Sequence, residues 1–430
     1  MRTPKKSAKR PTSVTADRVD RPADRVAEDE NWPRVTTEIA DDLAVDALAR
    51  DRAGKAPFDE VGRLQEAGLP ALLTAPGPGG PGADWRTACA VIREISAADG
   101  SIGELLAHHC ALSWTSRFLG PAAGPLDLGA RTARERWLLA GSVEPPPTET
   151  GTTGSPADTS TGPAGPALTP AGGGAYVLHG GRAFASGVTV ADRLVVAARC
   201  TQTGDLTLVL VDPAHPAVFT DPAAERVGQR LAGAGTVTFD RVPIAADDVL
   251  GTLPHDEHAV APYPTLAPVA LRLLLVQVAL GIAEGALAEA RDVSRAGHAV
   301  RGDDPFLLLA YGELATSAHT AAAVVERATD ALAHGLLAGR ALGVGERTDI
   351  AVLVAAAETV AHRAALDITT RVLELVDPMT ASDPRGTGPG FDRFWRNART
   401  LTAPVPPDRR LRDIGDHYLH GTHAGLTLPA

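Results

Sequence analysis

The sequence predicts an α+β protein in which a compact β-domain sits between two helical domains. Residues from Tyr176 to Gly251 hold the sustained strand-like stretches, YVLHGGRAFASG, RLVVAARC, LTLVLVD and TVTFDRVPI, each bounded by Gly, Pro or Asp. Helix-patterned sequence lies on both sides of this run. At 430 residues the chain exceeds what one core supports, so two or three domains are expected.

The N-terminus, MRTPKKSAKRPTS, is basic and continues acidic through Glu30. It lacks the apolar segment of a signal peptide, and residues 1–34 read as a disordered tail. An N-terminal helical domain is expected over 35–138. IADDLAVDALARDRAG carries apolar residues at helical spacing and stops at Gly54 and Pro57, and DEVGRLQEAGL stops at Gly68. PGPGGPGADW is a loop. WRTACAVIREISAADG and SIGELLAHHCALSWTSRFLG are two further helices, split near Asp99 and Gly100. His109, on this mostly apolar helix, reads either as a packed core residue or as an acid–base group.

The central domain is expected over 139–255. It contains a Pro/Gly/Ser/Thr-rich insertion, residues 145–174, whose composition reads as disordered. In HGGRAFASG, Ser186 precedes a Gly at a strand end, which is ordinary turn chemistry. GQRLAGAGTVTF offers small residues that permit close backbone approach. No GxGxxG lies between a strand and a helix, which speaks against a Rossmann domain.

From residue 262 to 430 the pattern returns to helix, with long candidates from Thr265 to Gly297, Pro305 to Leu337 and Arg347 to Val376 that suggest a bundle. LLLVQVALGIAEGAL is apolar nearly all round and should be buried on several sides. On a helix through FDRFWRNART, Arg393, Arg396 and Asn397 share one side. Such a cluster can hold a phosphate, or it can form a structural ion pair for which Asp392 is the obvious partner. His417, His420 and His423 recur every three residues without a carboxylate or Cys pattern, so no metal site is expected.

The net charge of -11 argues against nucleic-acid binding. Cys89, Cys110 and Cys200 form no CxxC pair or even framework, which fits a reducing cytoplasm. No uninterrupted apolar run reaches the ~20 residues of a membrane span. The expectation is a cytoplasmic protein with no membrane partner.

Five separated motifs occur in the order found in one superfamily: LQEAGLPALLTAPGPGG, AADGSIGELLAHH, HGGRAFASGVTVAD, VGQRLAGAGTVTFDRVPI, and FDRFWRNART followed by LRDIGDHYLHG. Over residues 36 to 421 the chain resembles the acyl-CoA dehydrogenase superfamily, and within it the flavin-dependent, dibenzothiophene monooxygenase-like branch. The resemblance implies an acyl-CoA dehydrogenase-like fold: an N-terminal helical domain, a central β-barrel or sandwich domain and a C-terminal four-helix bundle. It implies FMN or FAD as cofactor, a small-molecule substrate, a separate flavin reductase and a homotetramer. It makes His109 the catalytic candidate and assigns flavin contacts to Ser186, His108, Arg396, Asn397 and Arg399. Arg182 stands for the usual Lys of the GxKxFxSG pattern. The branch's THTxxHD-like continuation is missing, with Leu401 and Pro404 where its His residues would fall. Two alternatives stay open: an acyl-CoA dehydrogenase-like FAD enzyme acting on an acyl thioester, and a family member that keeps the fold without catalysis.

Overall fold

The computed structural model describes residues 32–74, 82–120, 123–124, 126–143, 165–223, 226–253, 261–296, 304–380, 390–404 and 407–421. Among the described residues the first elements are the helices α1 (Trp32–Ala53), α2 (Phe58–Glu66), α3 (Trp85–Ala98), α4 (Gly100–Ser113), α5 (Thr115–Leu119) and α6 (Leu128–Glu135). The expected break between α3 and α4 is present. Asp99 caps α4, its Oδ1 accepting from Ser101 N at 3.0 Å and Ile102 N at 3.3 Å. Its other oxygen takes Arg50 of α1 at 3.1 Å, so the cap is also an inter-helix tie.

The β-domain is one mixed sheet of eight strands: β1 (Leu139–Ser142), β2 (Ala167–Gly172), β3 (Ala175–Phe184), β4 (Arg193–Cys200), β5 (Leu206–Val211), β6 (Val218–Pro222), β7 (Gly235–Ile244) and β8 (Val249–Leu253). The order is β6-β7-β3-β2-β4-β5-β8, and β1 also pairs with β4, in parallel. The apolar runs LVVAA of β4 and LVLV of β5 are unbroken because both faces of the sheet are covered. Val195 and Ala197 of β4, with Leu206, Leu208 and Leu210 of β5, join the core shared with the helices. The alternate residues Leu194, Val196, Ala198, Val209 and Val211 line a separate core within the β-domain.

One expectation is corrected. Residues 165–174 are not disordered: Ala167–Gly172 is strand β2, antiparallel to β3 and with Leu168 fully buried. Pro170 and the glycines beside it gave ALTPAGGG the look of a loop, but the glycines make the turn into β3 and Pro170 precedes a shift in pairing register. The rest of the insertion, 145–164, and residues 1–31 of the expected tail lie outside the described residues. Trp32–Arg34, also expected in the disordered tail, instead form the first turn of α1, with Trp32 buried and its Nε1 donating to Gly82 O at 3.2 Å.

The C-terminal region contains α7 (Leu266–Ala296), α8 (Pro305–Ala338), α9 (Val344–Thr380), α10 (Asp392–Thr402) and α11 (Pro407–His420). The three long helices start and stop within four residues of the sequence expectation. By length and composition α7 could cross a membrane, but its most apolar window is 83% buried inside the protein, as in a core helix. It packs on α3, α4, α8, α9 and α10, and the start of α4 lies beside the middle of α10, where a Cβ on Gly100 would come within 3.5 Å of Asn397 Nδ2.

Candidate functional site

Helix α4 is buried along its whole length except at half-buried His108. Such a helix normally carries only apolar residues. Here Ser101, Glu104 and His108 follow one another at three- and four-residue spacing and so share a stripe. Among the described residues, Ser101 Oγ and Glu104 Oε2 have no hydrogen-bond partner. Burial pushes the Glu104 carboxyl up to about 7, against the opposing field of Arg226. Burial, with the repulsion of the same Arg226, pushes the His108 imidazole down to about 4.

His109 points elsewhere and departs from the catalytic expectation. Its Nδ1 accepts the Leu139 backbone amide at 3.0 Å, so the ring proton is on Nε2, which donates to the Pro70 carbonyl at 3.0 Å. Burial holds it neutral, with its pKa down to about 4. Both nitrogens are used in joining α4 to strand β1 and to the turn after α2, and no ring nitrogen is left for a ligand.

The wall facing the stripe comes from the β-domain. After β3 the chain turns through Ser186 and Gly187, where φ is +83°. A Cβ on Gly187 would lie 2.6 Å from Ala140 Cβ and 3.6 Å from Leu105 Cδ2, so this turn is pressed against α4 beside Glu104. A second segment, 226–233, closes over it. Gly187 N donates to Ala232 O at 2.7 Å, and Arg226 donates to Ala185 O at 3.1 Å and Gln229 O at 3.4 Å. Within this wall Ser186 Oγ, Thr189 Oγ1 and both side-chain polar atoms of Gln229 have no partner among the described residues. Gln229 is fully buried and sits in the left-handed region at φ +52°. Each unmade buried hydrogen bond costs about 1–3 kcal/mol. Strain and unpaired polar atoms in one place mark a surface built for something else to bind.

Helix α10 sets the position of that segment. Asn397 Oδ1 accepts the Gln229 backbone amide at 2.7 Å. Gly228 lies so near α10 that a Cβ there would come within 2.0 Å of the Arg396 carbonyl. Arg396 pairs with Asp51 at 2.5 Å and Asp392 at 2.9 Å, and donates to Val227 O at 2.9 Å. The structural ion pair is therefore what Arg396 forms, and beside the expected Asp392 it includes Asp51 of α1, a partner that no local signal announces. Arg393 is buried and pairs with Glu289, while Arg399 is exposed. A cleft of about 400 Å³ opens beside Arg396, Arg52, Arg226 and Arg230. A second, of about 790 Å³, adjoins it and shares Arg226 and Arg230, with Val188, Thr189 and Gly233 in its wall.

Of the expected site residues, Ser186 falls in this wall and His108 on the α4 stripe that faces it, Asn397 and Arg396 support the wall from behind, and His109 and Arg399 stand apart from it. Sequence reasoning missed Glu104, Arg226 and Gln229. The signal for Glu104 was present, a lone acid in an apolar helix, whereas nothing in AERVGQRL announces a buried amide. Leu401 packs against the core and Pro404 is exposed, so neither position supplies a titratable group. His417 lies 3.8 Å from Asp349 and His420 bonds Asp416 at 2.9 Å. No metal-binding cluster occurs among the described residues, and His423 lies outside them.

Residues 28–121 match the model of the acyl-CoA dehydrogenase N-terminal domain. The chain is 31% identical over 418 residues to a dibenzothiophene monooxygenase of Rhodococcus qingshengii, covering 93% of this chain and 95% of that one. It is 28% identical to the probable FMNH2-dependent monooxygenase SfnC of Pseudomonas putida, over 90% of this chain and 94% of that protein. Among solved structures, TdsC of Paenibacillus sp. A11-2 in complex with FMN and indole superposes with a TM-score of 0.81 at 28% identity, covering 93% of this chain and all of that one.

Proposed function

This chain belongs to the dibenzothiophene monooxygenase family of the acyl-CoA dehydrogenase superfamily, and from that premise we propose that it is the oxygenase half of a two-component system, fed reduced FMN by a separate reductase. It is a flavin-dependent monooxygenase and FMN is its flavin. Reduced FMN, when bound, supplies the electron pair that activates dioxygen. The substrate is a small organic molecule, a reading supported by the complex of TdsC with FMN and indole.

The observation that carries the reading is the set of unpartnered buried polar atoms at Ser186, Gln229 and Glu104. A flavin ring presents hydrogen-bond donors and acceptors along one edge and is flat and apolar on its faces. The residues fit that group. Ser186 Oγ and the Gln229 carboxamide would satisfy its polar edge. Arg226, Arg230 and Arg52 around the cleft are placed to attract its phosphate. The same packing excludes water, which keeps activated oxygen for the substrate. Exposed apolar residues on α8, Phe306, Leu308 and Leu309, support assembly into a homotetramer through the long helices.

Equilibrium titration with FMN, followed by anaerobic reduction and mixing with oxygen, tests this reading. The expected result is saturable FMN binding and reoxidation with kinetics distinct from those of free flavin. Reoxidation at the free-flavin rate at saturating protein would overturn it.

A further inference from the structure

The oxygenation has a proton requirement. One oxygen atom of O2 enters the substrate, the other leaves as water, and reduced FMN supplies the electron pair. If the flavin enters as its monoanion, one proton must reach the departing oxygen for the equation to balance. Among the residues of the wall, Ser101, Ser186, Thr189 and Gln229 do not titrate near neutrality. His109 has both ring nitrogens bonded to backbone. His108 is half-buried and neutral beside Arg226.

We propose that Glu104 holds and delivers this proton, from Oε2, into the flavin site. The inference rests on the flavin reading above and goes beyond it by naming the acid. Three observations of geometry carry it. Glu104 is only 3% exposed, yet among the described residues Oε2 has no partner and the carboxyl forms no ion pair. It lies on the stripe with Ser101 and His108, next to Leu105, which touches the Ser186–Gly187 turn. The wall it faces holds the other unpartnered polar atoms, so a bound ring that satisfies Ser186 and Gln229 is brought to the same place.

The surrounding charges leave Glu104 free to titrate. Arg226, from the segment over the site, is the charge that acts on it. Asp99 at the start of α4 is bonded to Arg50 of α1. On α3 and α7, Arg93 pairs with Glu284. On α10, Arg393 pairs with Glu289, and Arg396 with Asp51 and Asp392. Arg117 after α4 stacks on Trp114, Arg131 of α6 stacks on Trp137, and Arg134 pairs with Glu135. Strand β1 and the turn at Leu69–Ala71 carry no charge. With its carboxyl pushed up to about 7, Glu104 can hold a proton at neutral pH, give it up and regain it from solvent. Arg226 is positioned to stabilise the carboxylate left behind.

The test compares wild-type protein with Glu104→Gln. In FMN-free wild type, infrared difference spectra should show a protonated-carboxylic-acid band that is lost through about pH 7, and Glu104→Gln should lack it. With FMN, reductase, oxygen and indole as the probe substrate, the variant should bind FMN within about threefold of wild type. Its product formation should fall about a hundredfold and lose the inflection near neutrality. Absence of the band in wild type, or a variant that keeps both rate and inflection, overturns the assignment. Asp99 is a second buried carboxyl whose burial pushes it up, so the band is assigned by substitution. If Glu104→Gln fails to fold, Glu104→Asp takes its place and should shift the band, and a band unchanged in position and pH dependence overturns the assignment. Failure of wild type itself to bind FMN would instead overturn the flavin reading, and the role of Glu104 with it.

Discussion

Asn397 and Gln229 stand 168 positions apart and are joined by one hydrogen bond, from the Gln229 backbone amide to Asn397 Oδ1 at 2.7 Å. That bond holds Gln229 in a left-handed conformation, which costs about 1–3 kcal/mol for a residue other than glycine. The C-terminal helices thereby fix one wall of a site whose other wall is the N-terminal helix α4.

Asn397→Ala should release the 226–233 segment. We expect a stability loss of about 1–3 kcal/mol from the unpaired Gln229 amide. FMN affinity should fall in parallel, by about tenfold for each 1.4 kcal/mol of reorganisation. Asn397→Asp keeps the acceptor oxygen and should recover most of the binding. Chemical denaturation and fluorescence titration with FMN measure the two effects.

Ser186→Ala should move stability and binding in opposite directions. The hydroxyl is 2% exposed and has no partner, so removing it should leave the FMN-free protein as stable or up to ~1 kcal/mol more stable. FMN affinity should drop about five- to tenfold through loss of a hydrogen bond worth ~1 kcal/mol or more. A serine with a purely structural role would lower both.

His109→Ala should act on stability first. Loss of the ring leaves the Leu139 amide and Pro70 carbonyl unpaired and a cavity behind them, at about 2–4 kcal/mol. The pH dependence follows from the pKa near 4 in the folded chain against 6.5 ordinarily. Between those values the unfolded chain binds the extra proton, so this contribution to stability grows as pH rises from 4 to 6.5 and is complete above. The variant should lose about one proton's worth of that slope, up to ~3 kcal/mol across the window. Urea unfolding at a series of pH values reads it directly.

Arg396→Met should expose how far α10 depends on its ion pair with Asp51. The Asp51 side chain is 5% exposed, so stranding its carboxylate should cost about 3 kcal/mol. Arg396→Met combined with Asp51→Leu should cost less than Arg396→Met alone, which a double-mutant cycle of unfolding free energies would record.

The sequence made the three long helices, the break at Asp99 and the strands from Tyr176 onward legible, because apolar periodicity and capping are local signals. Strand β2 was not legible, since Pro170 and three glycines mask the single alternation that buries Leu168. The same limit governs the site. Ser186 stands out through its turn, and Arg396 through its helix face, but their partners come from far along the chain. Asp51, Arg226 and Gln229 acquire meaning only once α1, α4 and α10 are brought together. His109 shows the converse: a motif placed it correctly on α4, but only the positions of Pro70 and Leu139 reveal that its ring is occupied.

The most direct test of the central claim is isotope incorporation. The protein, FMN and a flavin reductase with its reductant would be supplied with 18O2 and, separately, dibenzothiophene and indole, and the products weighed by mass spectrometry. The account predicts product carrying a single 18O atom from O2, formed only when reduced FMN and the protein are both present. Oxidation of the flavin at its free rate, with neither probe gaining 18O above the protein-free control, would contradict it.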